Sequence, residues 1–420
     1  MMPKRFVSSL SRFAIFDMRL TEYAGLGCNT SGNSDPSNIR LKTRVISINA
    51  EFSLINDERF LHLFLSSPEL TTPHLKSIVN IFHSTSNNMK AITLSNPGKP
   101  STYIYKDVPK PEPLQGHVII EIKAFGINHA ELYMRHGDWP ETAEISGIEC
   151  VGIVDSCPDG TFKVGAKVAA VMGGMGRSIP GSYGEYTRVP ISNITSIESD
   201  LSWEELAAIP ESYSTAWTCL FQNLELQKGQ TLLVRGGTSA LGQAAINLAV
   251  NAGANVIATT RSAERAEMLL KMGVQRIELE SVRLSTLLAE GTIVDSVLNL
   301  VGNSVMLDSL AIVRRGGRVC LAGFLGGLEP MVDFNPLLQM PSGVHFSFFG
   351  SFVYGTPAFP LSDVPLQKIA NDLAACRYVA KPSRVFAFED IEEAHKVMEE
   401  SRAGGKMVVK LGSTGGDYRF

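Results

Sequence analysis

Several features that define particular protein classes are scarce in this chain of 420 residues. Its six cysteines include no Cys-x-x-Cys pair, so no disulfide framework is indicated, and each thiol is expected to be a small buried group in a reducing compartment. No run of about 18 uncharged apolar residues occurs, which argues against a membrane span. The formal net charge of −4 gives no basis for a nucleic-acid-binding or anionic-membrane surface.

The start of the chain carries three basic residues, several serines and no acid before Asp17, a composition compatible with a mitochondrial transit peptide. The favoured alternative is a dispensable extension, because residues 22–88 show no sustained periodicity and Met89 opens a strand-like segment. We therefore expect an N-terminal extension over residues 1–88 and a cytoplasmic location, which would become mitochondrial if residues 1–20 are a targeting segment.

Beyond the extension, the hydrophobic pattern divides the chain into three parts. Short strands with glycine-rich turns predict a β-rich domain over residues 89–211. Strands that alternate with helices over residues 212–335 predict right-handed βαβ crossovers and a parallel sheet. Residues 336–412 return to mixed content with an amphipathic helix and a closing strand, and residues 413–420 form a glycine-rich tail. The predicted fold class is α/β.

The clearest chemical signal is TLLVRGGTSALGQAAINLAV, in which an apolar strand leads through a glycine-rich turn into a helix. Glycine permits close approach of the backbone to a diphosphate, and the helix N-terminus offers free N–H groups and a positive dipole end. The spacing departs from Gly-x-Gly-x-x-Gly, so a purely structural turn is the alternative, but its place at the first strand-to-helix junction favours a dinucleotide. The predicted cofactor contacts in this turn are Gly236, Gly237, Thr238, Ser239, Ala240, Leu241 and Gly242.

The next strand, NVIATTRSAER, indicates which dinucleotide is preferred. NAD-binding sheets carry an acid at this strand tip to hold the ribose 2′-hydroxyl, whereas this strand ends in Thr260, Arg261 and Ser262. A guanidinium with two hydroxyls suits a 2′-phosphate, so NADPH is the predicted cofactor. The alternative is that Arg261 is a solvated surface residue and Ser262 only a helix cap.

Together these segments resemble the medium-chain dehydrogenase/reductase superfamily over about residues 89–411. The matching pieces occur in family order: AFGINHAELYMRHG, ISGIECVGIV, AAIPESYSTAW, VRGGTSALGQAAINLA, GGRVCLAG and GGKMVVKL. The resemblance is closest to the zinc-independent, zeta-crystallin-like quinone-oxidoreductase branch. It implies a GroES-like β-rich catalytic domain, interrupted by an inserted Rossmann domain with a doubly wound parallel sheet, and a C-terminus that returns to the first domain.

The zinc-independent branch is indicated by departures from the zinc enzymes of the superfamily. Asn128 and Ile148 occupy the positions at which those enzymes carry a cysteine and a histidine. Neither an amide nor an alkyl chain replaces a thiolate or an imidazole well as a zinc ligand. We therefore predict no metal site.

The resemblance also implies residues at the nicotinamide and substrate end of the site. Asn128 and Tyr133 match the branch, and Tyr133 would orient the carboxamide or donate a proton to a reduced oxygen, with simple aromatic packing as the alternative. Lys406 resembles the C-terminal Gly-Lys of the branch, and a structural role is equally open. The other implied cofactor contacts are Thr215, Asn299, Val301, Gly323 and Phe324.

The function that this pattern predicts is hydride transfer from NADPH to a small electrophilic acceptor, either a quinone or an α,β-unsaturated carbonyl compound. Both acceptors take hydride without a Lewis acid, and the cofactor carries the difficult chemistry. Two alternatives stay open: an enoyl reductase that acts in trans on a polyketide or fatty-acyl chain, and a non-catalytic, crystallin-like NADPH-binding protein. A homodimer is expected, because members of the superfamily often pair their Rossmann domains edge to edge.

Overall fold

The computed structural model describes residues 88–139, 141–379 and 381–412. The predicted extension, apart from Asn88, and the predicted tail lie outside these residues, and so does the question of a transit peptide.

The strands of the described residues fall into two larger sheets and one hairpin. The first part of the chain contains β1 (Asn88–Leu94), β2 (Tyr103–Pro109), β3 (His117–Ile127), β4 (Glu149–Ser156), β5 (Lys167–Val171), β6 (Tyr186–Pro190) and β7 (Ile194–Ser196). The middle part contains β8 (Thr231–Arg235), β9 (Asn255–Thr260), β10 (Arg276–Leu279), β11 (Val294–Asn299), β12 (Val313–Leu321) and β13 (His345–Phe348). The last part contains β14 (Arg384–Ala387) and β15 (Met407–Lys410).

The helices of the described residues are short to medium in length. They are α1 (His129–His136), α2 (Trp203–Ala207), α3 (Pro210–Trp217), α4 (Ala240–Asn251), α5 (Ala266–Lys271), α6 (Met306–Ile312), α7 (Pro336–Gln339), α8 (Leu366–Ala374) and α9 (Ile391–Glu399). The predicted stop of α1 is present, since Gly137 adopts φ +79°, a left-handed conformation that ends a helix at low cost.

The β-rich part is a sheet of order β14-β15-β3-β4-β5-β7, with β6 also paired to β3. The long strand β3 pairs with three strands, β4, β6 and β15, and its register with β4 shifts at Ile119/Ile120 and at Ile122/Ala124. The C-terminal strand β15 pairs antiparallel with β3, which is the predicted return of the chain to its first domain.

The middle part is a six-stranded, wholly parallel sheet of order β10-β9-β8-β11-β12-β13. Its central strand β8 is almost completely buried, as expected for a parallel strand covered by helices on both faces. The strand order reverses between β8 and β11, and in such sheets ligands bind at the carboxyl ends of the strands beside this reversal. The GroES-like and Rossmann architecture is thus confirmed.

Several details differ from the expectation. The segment VMLDSLAIVRRGG predicts a helix that continues to Gly317, but the helix ends at Ile312, because Gly316 adopts φ +77° and the chain turns into β12. The parallel sheet also continues past the boundary expected at residue 335, since β13 is its sixth strand. The short HFSF segment has no apolar run that distinguishes an edge strand from a pocket wall. The short strands β2, β6, β7, β10 and β14 were not anticipated either.

Candidate active site

A cavity of about 380 Å³ lies at the carboxyl ends of the parallel strands, where the two larger sheets approach each other. The loops after β8, β9, β11 and β12 form one side of it, and α1, α3 and the segment after β13 form the other. Its wall is mainly apolar, with a few polar groups at defined points, which is the usual composition of a small-molecule site.

The glycine-rich turn after β8 forms the floor of one end. Gly236 adopts φ +84°, and its N–H donates to the Thr259 hydroxyl at 2.9 Å. The Ser239 hydroxyl accepts from the Gly242 N–H at 3.0 Å and caps α4. A methyl group on Gly242 would overlap the Gly236 carbonyl oxygen, so only glycine lets the helix start this close to the strand.

The tip of β9 carries two basic groups of the cavity, and a third, Arg177, lies elsewhere on its wall. Arg261 is exposed at the wall and Arg265 is half-buried beside it, where its guanidinium donates to the Ser401 carbonyl at 3.0 Å. The Thr260 hydroxyl donates to the Ser262 carbonyl at 3.0 Å and accepts from the Ser262 N–H at 3.2 Å, which fixes the turn that presents Arg261. This turn leaves the Arg261 guanidinium at the mouth of the cavity.

One carboxylate, Glu280, also reaches this end of the cavity. The fully buried Arg235 pairs with Glu280 at 2.5 Å and with Asp308 at 2.8 Å, and the Thr259 hydroxyl donates to Glu280. Arg235 thereby stabilises Glu280 and Asp308 together, because opposite charges within hydrogen-bonding distance stabilise each other strongly when buried. One guanidinium faces two carboxylates, so it reduces their negative charge without cancelling it.

A buried polar network lies behind the other end of the cavity. Asn128 accepts from the Lys406 ammonium at 2.6 Å and donates to Glu149 at 2.9 Å, and Lys406 also pairs directly with Glu149. The Asn128 backbone N–H donates to Glu131 at 2.8 Å. Both amide atoms of Asn128 are therefore bonded to protein groups, which fixes the orientation of the side chain.

Glu131 and Glu211 are the unusual acids of this region. Burial, with the Glu149 charge as a further cause and Lys406 opposing, raises the pKa of Glu131 to about 8. Burial and the Glu149 charge likewise raise the pKa of Glu211 to about 7, while Ser351, Lys406 and Thr215 act in the opposite direction. Carboxyl groups with such pKa values are partly protonated near neutral pH.

Tyr133 projects from α1 to the cavity wall and donates its hydroxyl proton to the Phe324 carbonyl at 2.5 Å. Burial raises the pKa of Tyr133. Aromatic rings complete this side, with the Phe324 and Phe348 centroids 6.3 Å apart and Phe349 and Phe352 nearby on the wall. Of the aromatic residues in the segment HFSFFGSFVY, Phe348, Phe349 and Phe352 line the cavity, whereas Phe346 and Tyr354 do not.

Most of the predicted site residues meet at this one cavity. Those that line it are Asn128, Tyr133, Thr215, Gly236, Thr238, Ser239, Ala240, Leu241, Thr260, Arg261, Val301, Gly323 and Phe324. Those that support it from behind are Gly237, Gly242, Ser262, Asn299 and Lys406. Asn299, for example, accepts from the N–H groups of Val301 and Gly302 at 3.0 Å and so shapes the loop after β11.

The sequence interpretation missed the acidic residues and the second arginine. Glu131 was detectable, since Asn128 and Glu131 have the spacing of a capping box. Glu149 was detectable as an acid inside an otherwise apolar strand, ECVGIV. Glu211 and Arg265 gave no comparable signal, because a glutamate at a helix start and an arginine after a strand are common on protein surfaces.

Two further findings concern the described residues as a whole. No group of three or more His, Cys, Asp or Glu side chains is arranged there to hold a metal ion. In the same part of the chain, every helix is too short or too polar to traverse a bilayer.

Comparison with known proteins agrees with this architecture. Residues 114–199 match the model of the alcohol dehydrogenase GroES-like domain, and residues 240–365 match that of the zinc-binding dehydrogenase family. The human quinone oxidoreductase is 25% identical over 339 residues, which cover 77% of this chain and 98% of that protein. The chain belongs to the medium-chain dehydrogenase/reductase superfamily, a superfamily of oxidoreductases, and to its quinone-oxidoreductase-like branch.

Two other similarities extend this picture. A squalestatin tetraketide synthase of Cochliobolus lunatus is 30% identical over 335 residues, which cover 75% of this chain but only 13% of that protein. The chain thus spans about an eighth of the length of this synthase. A mycobacterial protein solved in complex with NADPH has 23% identity and a TM-score of 0.67, over 77% of this chain and 99% of that one, and shows the same fold.

Proposed function

We propose that this protein is an NADPH-dependent reductase that transfers hydride to a quinone or an α,β-unsaturated carbonyl compound without zinc. The observation that carries the proposal is the single cavity that joins the glycine-rich turn, the Arg261 tip and an aromatic wall. When bound, NADPH would supply the hydride, and the protein would bind and orient both reactants and exclude water.

The residues of the cavity suit a dinucleotide with a 2′-phosphate. The N–H groups of Ala240 and Leu241 at the start of α4 have no hydrogen-bond partner among the described residues, so they are available to a diphosphate. Arg261 and Arg265 would hold the 2′-phosphate. Arg235, which Glu280 shares with Asp308, would weaken the repulsion between Glu280 and this phosphate.

The far end of the cavity suits a flat, electron-poor acceptor. Thr215 lies there with the aromatic groups Tyr133, Phe324 and Phe349, and the wall is mainly apolar. Aromatic faces pack well against planar conjugated rings. Asn128 and Lys406 are bonded to each other and to Glu149, so in this proposal they stabilise the site rather than bind a metal.

A second candidate function is an enoyl reductase acting in trans on a polyketide or fatty-acyl chain. The similarity to a tetraketide synthase favours it, because that protein is named for polyketide synthesis. The chemistry is the same reduction of a conjugated double bond, and only the length and carrier of the acceptor differ.

The test follows the absorbance loss of NADPH or NADH with a panel of quinones, small enones and enoyl thioesters, with and without a chelator. We expect faster oxidation of NADPH than of NADH and no effect of the chelator. Chelator-sensitive turnover would contradict the metal-free assignment. Preference for enoyl thioesters would select the second function, and tight NADPH binding without turnover of any acceptor would indicate a non-catalytic, crystallin-like protein.

A further inference from the structure

Glu211 is a buried acid on the cavity wall, and one of its two carboxyl oxygens has no hydrogen-bond partner within the described residues. The nearby Ser351 side chain only lowers the raised pKa of this carboxyl. It follows Pro210 at the start of α3, and only 8% of its surface is exposed. Its Oε1 accepts from the Thr215 hydroxyl at 3.2 Å, whereas Oε2 has no hydrogen-bond partner in the described part of the chain. Because an unsatisfied buried polar atom is costly, Oε2 marks a point at which a bound molecule would complete the bonding.

The groups that face Glu211 come from several elements. Its backbone N–H donates to Glu149 of β4 at 2.8 Å, and Glu149 pairs with Lys406. Ser351 faces Glu211 from the segment after β13. The remaining titratable neighbours of Glu211 are Tyr354 and Cys219. Among these neighbours, Lys406 is therefore the one cation that acts on the carboxyl groups of Glu131, Glu149 and Glu211, and its closest contact is with Glu149.

Because positive charge is scarce around these carboxyl groups, some of them are expected to hold a proton near neutral pH. With Lys406 paired to Glu149, burial raises the pKa of both Glu131 and Glu211 well above the ordinary value. Glu131 is completely buried and does not line the cavity, whereas Glu211 does. Of these two proton-holding groups, Glu211 is the one that a molecule in the cavity can contact.

The hydroxyl of Tyr133, the donor expected from the sequence, is already engaged. It donates to the Phe324 carbonyl, so its proton points to the loop after β12. A phenol also releases its proton far less readily than a carboxylic acid, and burial raises the pKa of Tyr133 further.

On the basis of the reduction proposed above, we propose that Glu211 is a catalytic acid that gives its Oε2 proton to the carbonyl oxygen of the bound acceptor. For an enone, the β-carbon would gain a hydride from NADPH, and NADPH would be oxidised to NADP⁺. Electron density then moves from the double bond to the carbonyl oxygen. The O–H bond of Glu211 breaks as the O–H bond of the enol forms. The enol then tautomerises to the saturated ketone, and the Glu211 carboxylate regains a proton from water.

The two acceptor classes should depend on Glu211 to different extents. An enone develops the charge of a basic enolate, so a positioned acid is worth about 100-fold or more in rate. A quinone yields a hydroquinone anion, which is much less basic and takes its proton from water without help. The enone reaction should also slow as pH rises through about 7, because Glu211 then loses the proton it must donate.

The test compares wild type with Glu211→Gln, which keeps the shape but has no acidic proton, using 2-cyclohexenone and 1,4-naphthoquinone. We expect Glu211→Gln to lower kcat for the enone about 100-fold, to lower kcat for the quinone less than tenfold, and to leave the Kd of NADPH within about twofold. Tyr133→Phe should lower kcat for the enone less than tenfold. The matched control is Glu267→Gln, the same change at an exposed glutamate of α5, which should alter none of these values.

A readout without turnover is the pH dependence of the melting temperature. The pKa of Glu211 is raised in the folded protein, so its contribution to stability is present below its ordinary value of 4.5 and is lost as pH rises through about 7. Glu211→Gln should therefore lose less stability than wild type over this interval. An unchanged pH dependence would overturn the assignment of the proton to Glu211.

The kinetic outcomes separate the two proposals. If wild type reduces the enone and Glu211→Gln matches its kcat, or changes only the Kd of NADPH, the acid role is wrong while the proposed function stands. If wild type oxidises NADPH with neither acceptor, both are wrong. If Glu211→Gln does not fold, the pH profile of wild-type kcat for the enone still tests the acid role of Glu211. A wild-type rate that does not fall above about pH 7 would contradict that role.

Discussion

In the proposed function, the choice of cofactor depends on Arg261. Its guanidinium is exposed at the cavity mouth, and the turn formed by Thr260 and Ser262 holds its backbone in place. Charge-assisted hydrogen bonds contribute about 1.5–3 kcal/mol, so Arg261→Ala should raise the KM for NADPH by roughly 10- to 100-fold. The KM for NADH, which has no 2′-phosphate, should change little. Steady-state kinetics with both cofactors measures the ratio.

The control for this substitution is Arg315→Ala, since Arg315 is exposed and does not line the cavity. It should leave both KM values unchanged. An equal loss of NADPH and NADH use in Arg261→Ala would show that Arg261 holds a part common to both cofactors. Arg265 would then become the principal candidate for the 2′-phosphate.

At the residue scale, the sequence predicts site residues best where the local backbone or the local charge requires a particular residue type. The glycine turn and the strand tip without an acid could be predicted from local chemistry alone. Glu149 and Glu211 could not be paired in this way, because they are 62 positions apart and meet only when β4 packs against α3. The raised pKa of Glu211 depends on burial, which no local pattern expresses.

At the scale of elements, the close approach of β8 and α4 forms the turn that we propose to bind a diphosphate. A methyl group on Gly242 would overlap the Gly236 carbonyl oxygen and the Gly237 backbone, so Gly242→Ala must displace the start of the helix. Overpacking of this kind costs about 1–3 kcal/mol. We expect a lower melting temperature and a Kd for NADPH that is at least about tenfold weaker, measured by thermal denaturation and by cofactor fluorescence.

The matched control is Gly291→Ala. Gly291 also has a positive φ, +81°, but nothing lies within 4 Å of an added methyl group. It should lose some stability through backbone strain and keep its NADPH affinity. If Gly242→Ala bound NADPH as tightly as Gly291→Ala, the turn would not be the diphosphate site.

Elements were predicted well where a period extends over many residues, as in α4 and β3. The misplaced end of α6 and the missed strands β2 and β13 share a physical cause. Each lies where glycine, proline or alternating aromatic residues interrupt the period, and β2 and β13 are strands because of their pairing with β1 and β12. Strand β13 in particular is defined by its contact with β12 rather than by its own composition.

At the scale of the whole molecule, the two larger sheets contribute different parts of one cavity. The parallel sheet contributes the glycine-rich turn and the basic strand tip, while the β-rich sheet contributes Asn128, Glu149 and Lys406 through β3, β4 and the segment before β15. The C-terminal return of the chain therefore completes the polar network behind the cavity as well as the sheet. Without β15, Glu149 would be a buried carboxylate without its cation.

The edges of the parallel sheet decide how copies of this chain could associate. Edge strand β10 carries the Arg276–Glu278 ion pair, and charged side chains of this kind discourage strand pairing. Edge strand β13 instead exposes Phe346 and Phe348 at 37% and 50%. We therefore expect β13 to pair with β13 of a second copy, which would give a homodimer with one continuous sheet.

Light scattering after size-exclusion chromatography should give a mass about twice the 45.6 kDa of the chain. Phe346→Lys, which adds a charge at the edge outside the cavity, should shift the protein toward the monomer as it is diluted. Leu270→Lys, an equivalent change at an exposed leucine of α5, should leave the mass unchanged. A monomeric wild type, or a dimer that tolerates Phe346→Lys, would show that β13 is not the interface. Because Phe348 of the same strand lines the cavity, a true β13 dimer should also place the acceptor end of each site beside the subunit boundary.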